Sequence, residues 1–205
     1  MSADPDTQST AAIVLAAGAA TRMGQSKQLL RFQGKTLIER AIIHVVDARL
    51  SPVIVVVGAE APSVRDAIVA LPVEIAHNEN WAAGMGSSIT TGLERLLQLE
   101  PAVAAIAIVL ADQPLVTAKH LSDMQRLLAD SETNIVAAEY NGTLGVPAFF
   151  KRELFPELAA LSPDSGARRI IRGRNARVKA IPLPEAAIDI DTPDDFAALT
   201  APGAP

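Results

Sequence analysis

Two basic side chains stand five positions apart in a stretch otherwise made mostly of small residues, Gly18-Ala-Ala-Thr-Arg22-Met-Gly24-Gln-Ser-Lys27. Small residues let a backbone approach a ligand closely, and successive amides there can bind phosphate oxygens. Arg22 and Lys27 would supply positive charge for a polyphosphate. The stretch lacks the Gly-Lys-Ser/Thr of a Walker loop, and Ala20 stands where the dinucleotide fingerprint needs its second glycine. Taken alone, it fits a strand-to-helix turn with solvated basic residues equally well.

Carboxylates supply the complementary chemistry. Asp112, in Leu110-Ala-Asp112-Gln-Pro114, follows an apolar run. It reads either as a cap of the next helix or as a ligand of Mg²⁺, a hard cation that takes carboxylate oxygens and completes its shell with water and phosphates. Asp189 and Asp191, in Asp189-Ile-Asp191-Thr-Pro-Asp194-Asp195, would share one face of a strand. Either could join Asp112 at the metal, while Asp194 and Asp195 read as acidic residues at a helix start. A fourth segment, Asn78-Glu-Asn-Trp81-Ala-Ala-Gly84-Met-Gly86-Ser87-Ser88, is a glycine-bearing loop running into a helix. One serine there reads as a cap, and the helix start could meet a base or phosphate. Trp81 fits packing or stacking. His44, His77 and His120 form no metal spacing or triad. Transfer to an already ionised phosphate needs no histidine base, only alignment and neutralisation of charge, which Arg22, Lys27 and a carboxylate-held Mg²⁺ could supply.

Positioning these residues falls to short apolar runs that alternate with helical patterns. Strands are expected at 12–16, 52–58, 73–77 and 104–110, and helices at 36–47, 62–70, after Gly86 to about 99, and 117–129. The run at 52–58 (PVIVVVG) does not alternate, which suits a parallel strand covered on both faces. The pattern predicts an α/β, doubly wound, mainly parallel sheet with helices on both faces, whose ligands sit at the C-terminal strand ends. Beyond residue 134 a hairpin is expected, 135–140 and 146–150 around Asn141-Gly142. Short helices at 152–161 and 165–172, strands at 178–181 and 187–190, and a helix at 193–199 capped by Thr192 follow. The expected organisation is a disordered tail at 1–10 and a single domain at 11–200. Residues 11–130 form its nucleotide-binding half, and 131–200 form its acceptor-binding half, an insertion and lid rather than a second domain.

Composition narrows the partners. A net charge of −5 without a basic run argues against nucleic acid. The chain has no cysteine, which excludes disulfides, thiolate metal sites and a cysteine nucleophile and fits the cytoplasm. No apolar run reaches the roughly 18–20 residues needed to span a bilayer. Residues 2–10 carry Asp4 and Asp6 and no basic residue, unlike a secretory leader.

Six motifs in order, LAAGAATRMGQSK (15–27), NENWAAGMGSSI (78–89), LADQP (110–114), GVPAFF (145–150), SPDSGAR (162–168) and DIDTPDD (189–195), resemble the MobA-like NTP transferase superfamily. Within its molybdenum cofactor nucleotidyltransferases, the likeness is to the MocA-like cytidylyltransferases. The resemblance implies a Rossmann-like fold of the nucleotide-diphospho-sugar transferase type. It also implies transfer of CMP from CTP, with GTP as the alternative, onto the terminal phosphate of a molybdopterin-type acceptor, releasing pyrophosphate with Mg²⁺. A molybdenum hydroxylase would receive the product. Carried over, Leu15, Ala16, Ala17, Gly18, Arg22, Lys27, Gly86 and Ser88 would hold the nucleotide. Asp112 and Asp191 would hold the metal, and Arg22, Lys27 and Asp112 would be catalytic. Gly145, Pro147, Asp164, Gly166 and Arg168 would face the acceptor. Ala17, where the guanylyl branch has glycine, narrows the space near the base and favours a pyrimidine. Two positions depart from the family: Ala20 replaces a serine, and Val146 replaces the histidine of Gly-His-Pro. A cofactor-binding accessory protein and an NAD(P)H-dependent oxidoreductase remain as other readings on this fold.

Overall fold

The computed structural model of the chain describes residues 9–19, 26–129, 132–173, 176–190 and 192–201. Its centre is β1 (Thr10–Ala16), in which every residue is buried. β4 (Val53–Val57) and β6 (Ala105–Leu110) flank β1 in parallel, register Ala12↔Val53 on one side and Thr10↔Ala105 on the other. β5 (Glu74–His77) extends the β4 edge, also parallel. Beyond β6 lie the antiparallel β8 (Thr143–Lys151), then β7 (Ile135–Tyr140) and the edge strand β9 (Val178–Pro182). The seven-stranded order is β5-β4-β1-β6-β8-β7-β9, with a separate two-stranded hairpin of β2 (Arg31–Phe32) and β3 (Lys35–Thr36).

Alternation along β1 assigns the two faces. Ala12, Val14 and Ala16 pack with α1 (Leu37–Asp47), α2 (Ala61–Ile68) and α4 (Ala118–Leu128) through Ile38, Val64 and Met124. Ala11, Ile13 and Leu15 pack with α3 (Met85–Leu99), α5 (Phe155–Ala159) and α6 (Arg168–Ile171) through Leu93, Leu158 and Ile170. A third, smaller cluster of Leu30, Phe32, Leu37, Ile190 and Leu199 seats α7 (Pro193–Thr200). Thr36, Thr117 and Thr192 each cap a helix, accepting a hydrogen bond from the backbone amide three residues on. Among the described residues no helix is long and apolar enough to cross a membrane.

The Asn141-Gly142 turn has positive φ at both residues, 51° and 67°, as a type I′ hairpin requires. Three expectations are corrected. Residue 10, expected in the tail, belongs to β1 and pairs with Ala105; residues 1–8 lie outside the described set. Strands β7, β8 and β9 continue the sheet rather than covering it as a lid. Residues 187–190 form no strand: a 3-10 helix occupies Pro184–Ala187, and the Ile190 amide donates to the Asp112 carbonyl. Ile188 is exposed while Ile190 is fully buried, although strand alternation would place both on one face. Asp189 therefore lies on no strand, and Asp191 is outside the described residues.

Helix α3 lies close on β1 and β4 at Gly92, where a Cβ would stand 2.6 Å from Ile13 Cγ2 and 2.9 Å from Val56 Cγ2. Both neighbours are stiff, buried and β-branched. Gly92→Ala would gain about 1 kcal/mol of helix propensity but force overpacking that costs roughly 1–3 kcal/mol. A net loss of stability is expected in urea unfolding; an unchanged or raised midpoint would show that the sheet yields there.

His44 of α1 is half-buried, and its Nε2 is buried without a partner among the described residues. Burial, with the Arg40 guanidinium beside it and a smaller contribution from His120, holds this imidazole below its ordinary value despite Asp47. The unfolded chain therefore takes up a proton first, and stability falls as pH drops through about 6.5 towards the folded value. His44→Gln should narrow the difference between unfolding free energies measured at about pH 7.5 and about pH 5.5.

Candidate active site at the strand-order reversal

From β1 the chain crosses through α1 to β4 on one side; from β5 it crosses through α3 to β6 on the other. The order reverses between β1 and β6, and beyond the carboxyl ends of such a pair an open α/β sheet leaves a crevice. A cavity of about 420 Å³ lies there. The end of β1 supplies Leu15, Ala16, Ala17, Gly18 and Ala19, and the end of β6 supplies Leu110, Ala111 and Asp112. Lys27, Gln28, Trp81, Gly84, Met85 and Ser88 form much of the remaining wall.

Lys27 Nζ lies 2.5 Å from Asp112 Oδ2, both side chains mostly buried. This ion pair bridges the end of the small-residue loop to the end of β6. Asp112 Oδ1 is buried with no partner among the described residues. Asp112 does not cap α4, a task Thr117 performs. A buried carboxylate oxygen without a donor suits a hard cation, so Asp112 fits a divalent metal. Among the described residues no group of three metal-ligating side chains forms. Asp191 and Arg22 lie outside the described residues, and Asp189 is on the surface.

Three buried amides build the walls. Gln28 is 2 % exposed. Its Nε2 donates to the carbonyls of Gly18 (2.9 Å) and Ala16 (3.3 Å), and its Oε1 accepts from Ser26 Oγ (2.9 Å). Asn78 Nδ2 donates to Ser87 Oγ and Ser88 Oγ, each at 2.9 Å, and its Oδ1 accepts from the Asn80 amide. Ser87 Oγ donates to the Gly84 and Asn80 carbonyls. Ser88 Oγ receives a hydrogen from Asn78 while lining the cavity, so its own proton is available to an acceptor there. Gln113 donates to the carbonyls of Val146 (3.1 Å) and Ala186 (2.8 Å), tying the residue after Asp112 to β8.

Of the residues singled out in the sequence, Leu15, Ala16, Ala17, Gly18, Lys27, Ser88 and Asp112 come together at the cavity. Gly86 instead meets the carbonyls of Ser162, Pro163 and Ser165, which a Cβ would strike. Asp164 lies against Gly84, and Gly166 against Met85 Sδ, so the 162–166 turn backs the cavity wall from behind. Arg168 is exposed at the start of α6. Gly145 and Pro147 sit in β8, away from the lining, with Gly145 under the Tyr140 hydroxyl, which donates to the Val146 carbonyl. Gln28, Asn78 and Gln113 were not assigned roles from sequence, because a lone amide side chain gives no motif; Gln28 follows a recognised stretch, Asn78 begins one and Gln113 lies within one.

A family model described as the MobA-like NTP transferase domain matches residues 12–179, from β1 to β9. The chain belongs to that family. Among curated relatives, it is 28 % identical to the purine catabolism protein PucB of Bacillus subtilis, covering 90 % of this chain and 92 % of that protein. It is 29 % identical to nicotine blue oxidoreductase of Paenarthrobacter nicotinovorans, covering 92 % and 95 %. A shorter likeness, 28 % over 64 % of this chain and 63 % of the relative, is to a probable molybdenum cofactor guanylyltransferase of Mycobacterium bovis. The crystal structure of Rv0371c from Mycobacterium tuberculosis in complex with manganese superposes with a TM-score of 0.77 at 27 % identity, covering 93 % and 97 %. This MobA-like chain is a nucleotidyltransferase of the nucleotide-diphospho-sugar transferase fold.

The Gln113 bridge is testable through stability. Gln113→Leu takes the donor from the Ala186 carbonyl, leaves the Val146 carbonyl to the Tyr140 hydroxyl alone, and should cost about 1–3 kcal/mol. Gln113→Glu removes the same two hydrogen bonds and adds a buried negative charge beside the carbonyls, so its melting temperature should be the lower of the two. The reverse order would mean the side chain is not held where Val146 and Ala186 converge.

Proposed function

We propose that the protein transfers CMP from CTP onto the terminal phosphate of a molybdopterin-type acceptor, releasing pyrophosphate, with Mg²⁺ as the metal. The observation that carries the reading is the Lys27–Asp112 pair, which sets a cation and a metal-suited carboxylate across one cavity beside the Gly18 loop. An acceptor phosphate oxygen attacks the α-phosphorus, the bond to the bridging oxygen of pyrophosphate breaks, and no proton need be removed from an ionised phosphate. Lys27, and Arg22 from the same loop, neutralise charge on the phosphates as it moves towards the leaving group. Asp112, with Asp191, would hold Mg²⁺, which when bound supplies further charge neutralisation at the phosphates. Ser88 donates to an acceptor on base or ribose. Ala17, whose Cβ narrows the crevice, favours cytosine over guanine. Gly145, Pro147, Asp164, Gly166 and Arg168 are assigned to the acceptor side, outside the nucleotide cavity.

The likeness to nicotine blue oxidoreductase favours a second reading, a nicotinamide-dependent oxidoreductase on the same fold. The two separate in one assay. Pyrophosphate release is measured with CTP, GTP and ATP, with and without molybdenum cofactor and Mg²⁺, beside NAD(P)H oxidation. Release that depends on CTP, metal and acceptor supports the transferase; nicotinamide oxidation without metal dependence replaces it.

Asp112→Asn should lower kcat/KM by about 100-fold or more. Metal-dependent turnover surviving this change would sink the site. Ser88→Ala should raise KM for the nucleotide by roughly 3- to 10-fold, the worth of one hydrogen bond.

A further inference from the structure

Three consecutive carbonyls at the end of β1 are tied back into the protein. The Ala16 and Gly18 carbonyls accept from Gln28 Nε2, and the Ala17 carbonyl accepts from the Ala59 amide at 3.2 Å. A trans peptide is planar, with its N–H pointing opposite to its C=O. Fixing carbonyls 16, 17 and 18 therefore turns the amides of Ala17, Gly18 and Ala19 the other way. All three residues line the cavity, and none of these amides donates to a backbone carbonyl among the described residues. Successive amides that face one cavity form a concavity that binds anions.

Gln28 controls two of the three peptide planes with one side chain. Both ends of that side chain are committed. Ser26 Oγ donates to Oε1, which leaves the NH₂ end for the carbonyls and excludes the flipped amide. We propose that Gln28 is the positioning residue that aims the Ala17–Ala19 amides at the β- and γ-phosphates of the nucleotide. It also couples that aim to Lys27, its immediate neighbour in the chain. The proposal rests on the nucleotide reading of this cavity and adds to it a residue that touches no substrate.

The test compares wild type with Gln28→Met, which keeps the volume but not the donor, and with Ser26→Ala, which frees the amide to flip. Binding of CTP, pyrophosphate and unphosphorylated cytidine is measured by calorimetry in Mg²⁺, after thermal melts confirm folding. Gln28→Met should weaken CTP and pyrophosphate by about tenfold and cytidine by less than about twofold. Ser26→Ala should shift the same ligands in the same direction by less. In steady state the loss should fall on KM for the triphosphate rather than on kcat, and Gln28→Asn should not restore it, its amide being one methylene short. Equal weakening of cytidine and pyrophosphate would reduce Gln28 to general support of the loop and overturn the proposal. So would pyrophosphate binding unchanged in Gln28→Met, or absent from wild type. A wild type that binds pyrophosphate but transfers no nucleotide would sink the transferase reading, leaving Gln28 to stand or fall on the pyrophosphate comparison.

Discussion

The structure depends on the confinement of β1. Both of its edges carry parallel ladders, to β4 and β6, and both of its faces lie under helices. A strand enclosed in this way can meet solvent only beyond its end. The crossovers on its two sides run in opposite directions, and among the described residues no helix closes over the gap past Ala16. Chemistry can gather there with no cost to the core, because the groups that would need burial elsewhere are held by the ends of strands that are already fixed.

Close packing then sets the cavity's floor and wall. Gly58 lets β4 end against the Ala17 carbonyl and Trp81, with a would-be Cβ 2.6 Å from the former and 2.7 Å from Trp81 Cβ. Gly84, at φ 123°, turns the chain into α3 against the Pro163 carbonyl. These contacts bring a loop from one side of β1 and a turn from the far end of the sequence to within a side chain of each other. Polar groups trapped in so tight an arrangement have to find partners locally, and Gln28, Asn78 and Gln113 provide them.

Much of this was legible in the residues. The unalternating 52–58 run marked a doubly covered strand, Asn141-Gly142 marked a hairpin, and the loop from Gly18 with Asp112 marked the carboxyl ends of the central strands. These signals are local: a period, a turn conformation, a charge after an apolar run. The reading of 187–190 as a strand failed because a short apolar run also arises when two residues, here Ala186 and Ile190, plug separate gaps in an irregular segment. The amide bridges were illegible for a different reason. Gln28 reaches back ten residues to Gly18, and Gln113 reaches 33 and 73 residues on, distances over which sequence spacing carries no geometric information. Gly86 was misleading in its own way: its lack of a side chain accommodates the Ser162–Ser165 turn rather than a ligand.

The antiparallel course of β8 has a consequence for how this fold changes over time. β8 pairs with β6 only from Ala148 to Lys151, while residues 143–145 pair with β7 alone. Past Ile108 the two strands part, and Gln113 spans the opening to Val146 in place of a ladder. The Asn141-Gly142 turn thus stands on the same rim of the sheet as the cavity, held by the ribbon of β7 and β8, with β9 beside β7 as far as Glu139 and no pairing to β6. Residues can be added to or removed from that ribbon without shifting the register of β6. The cavity beyond β1 and β6 is thereby insulated from drift in the ribbon beside it, an arrangement that lets a lineage vary the ribbon while the cavity stays in place.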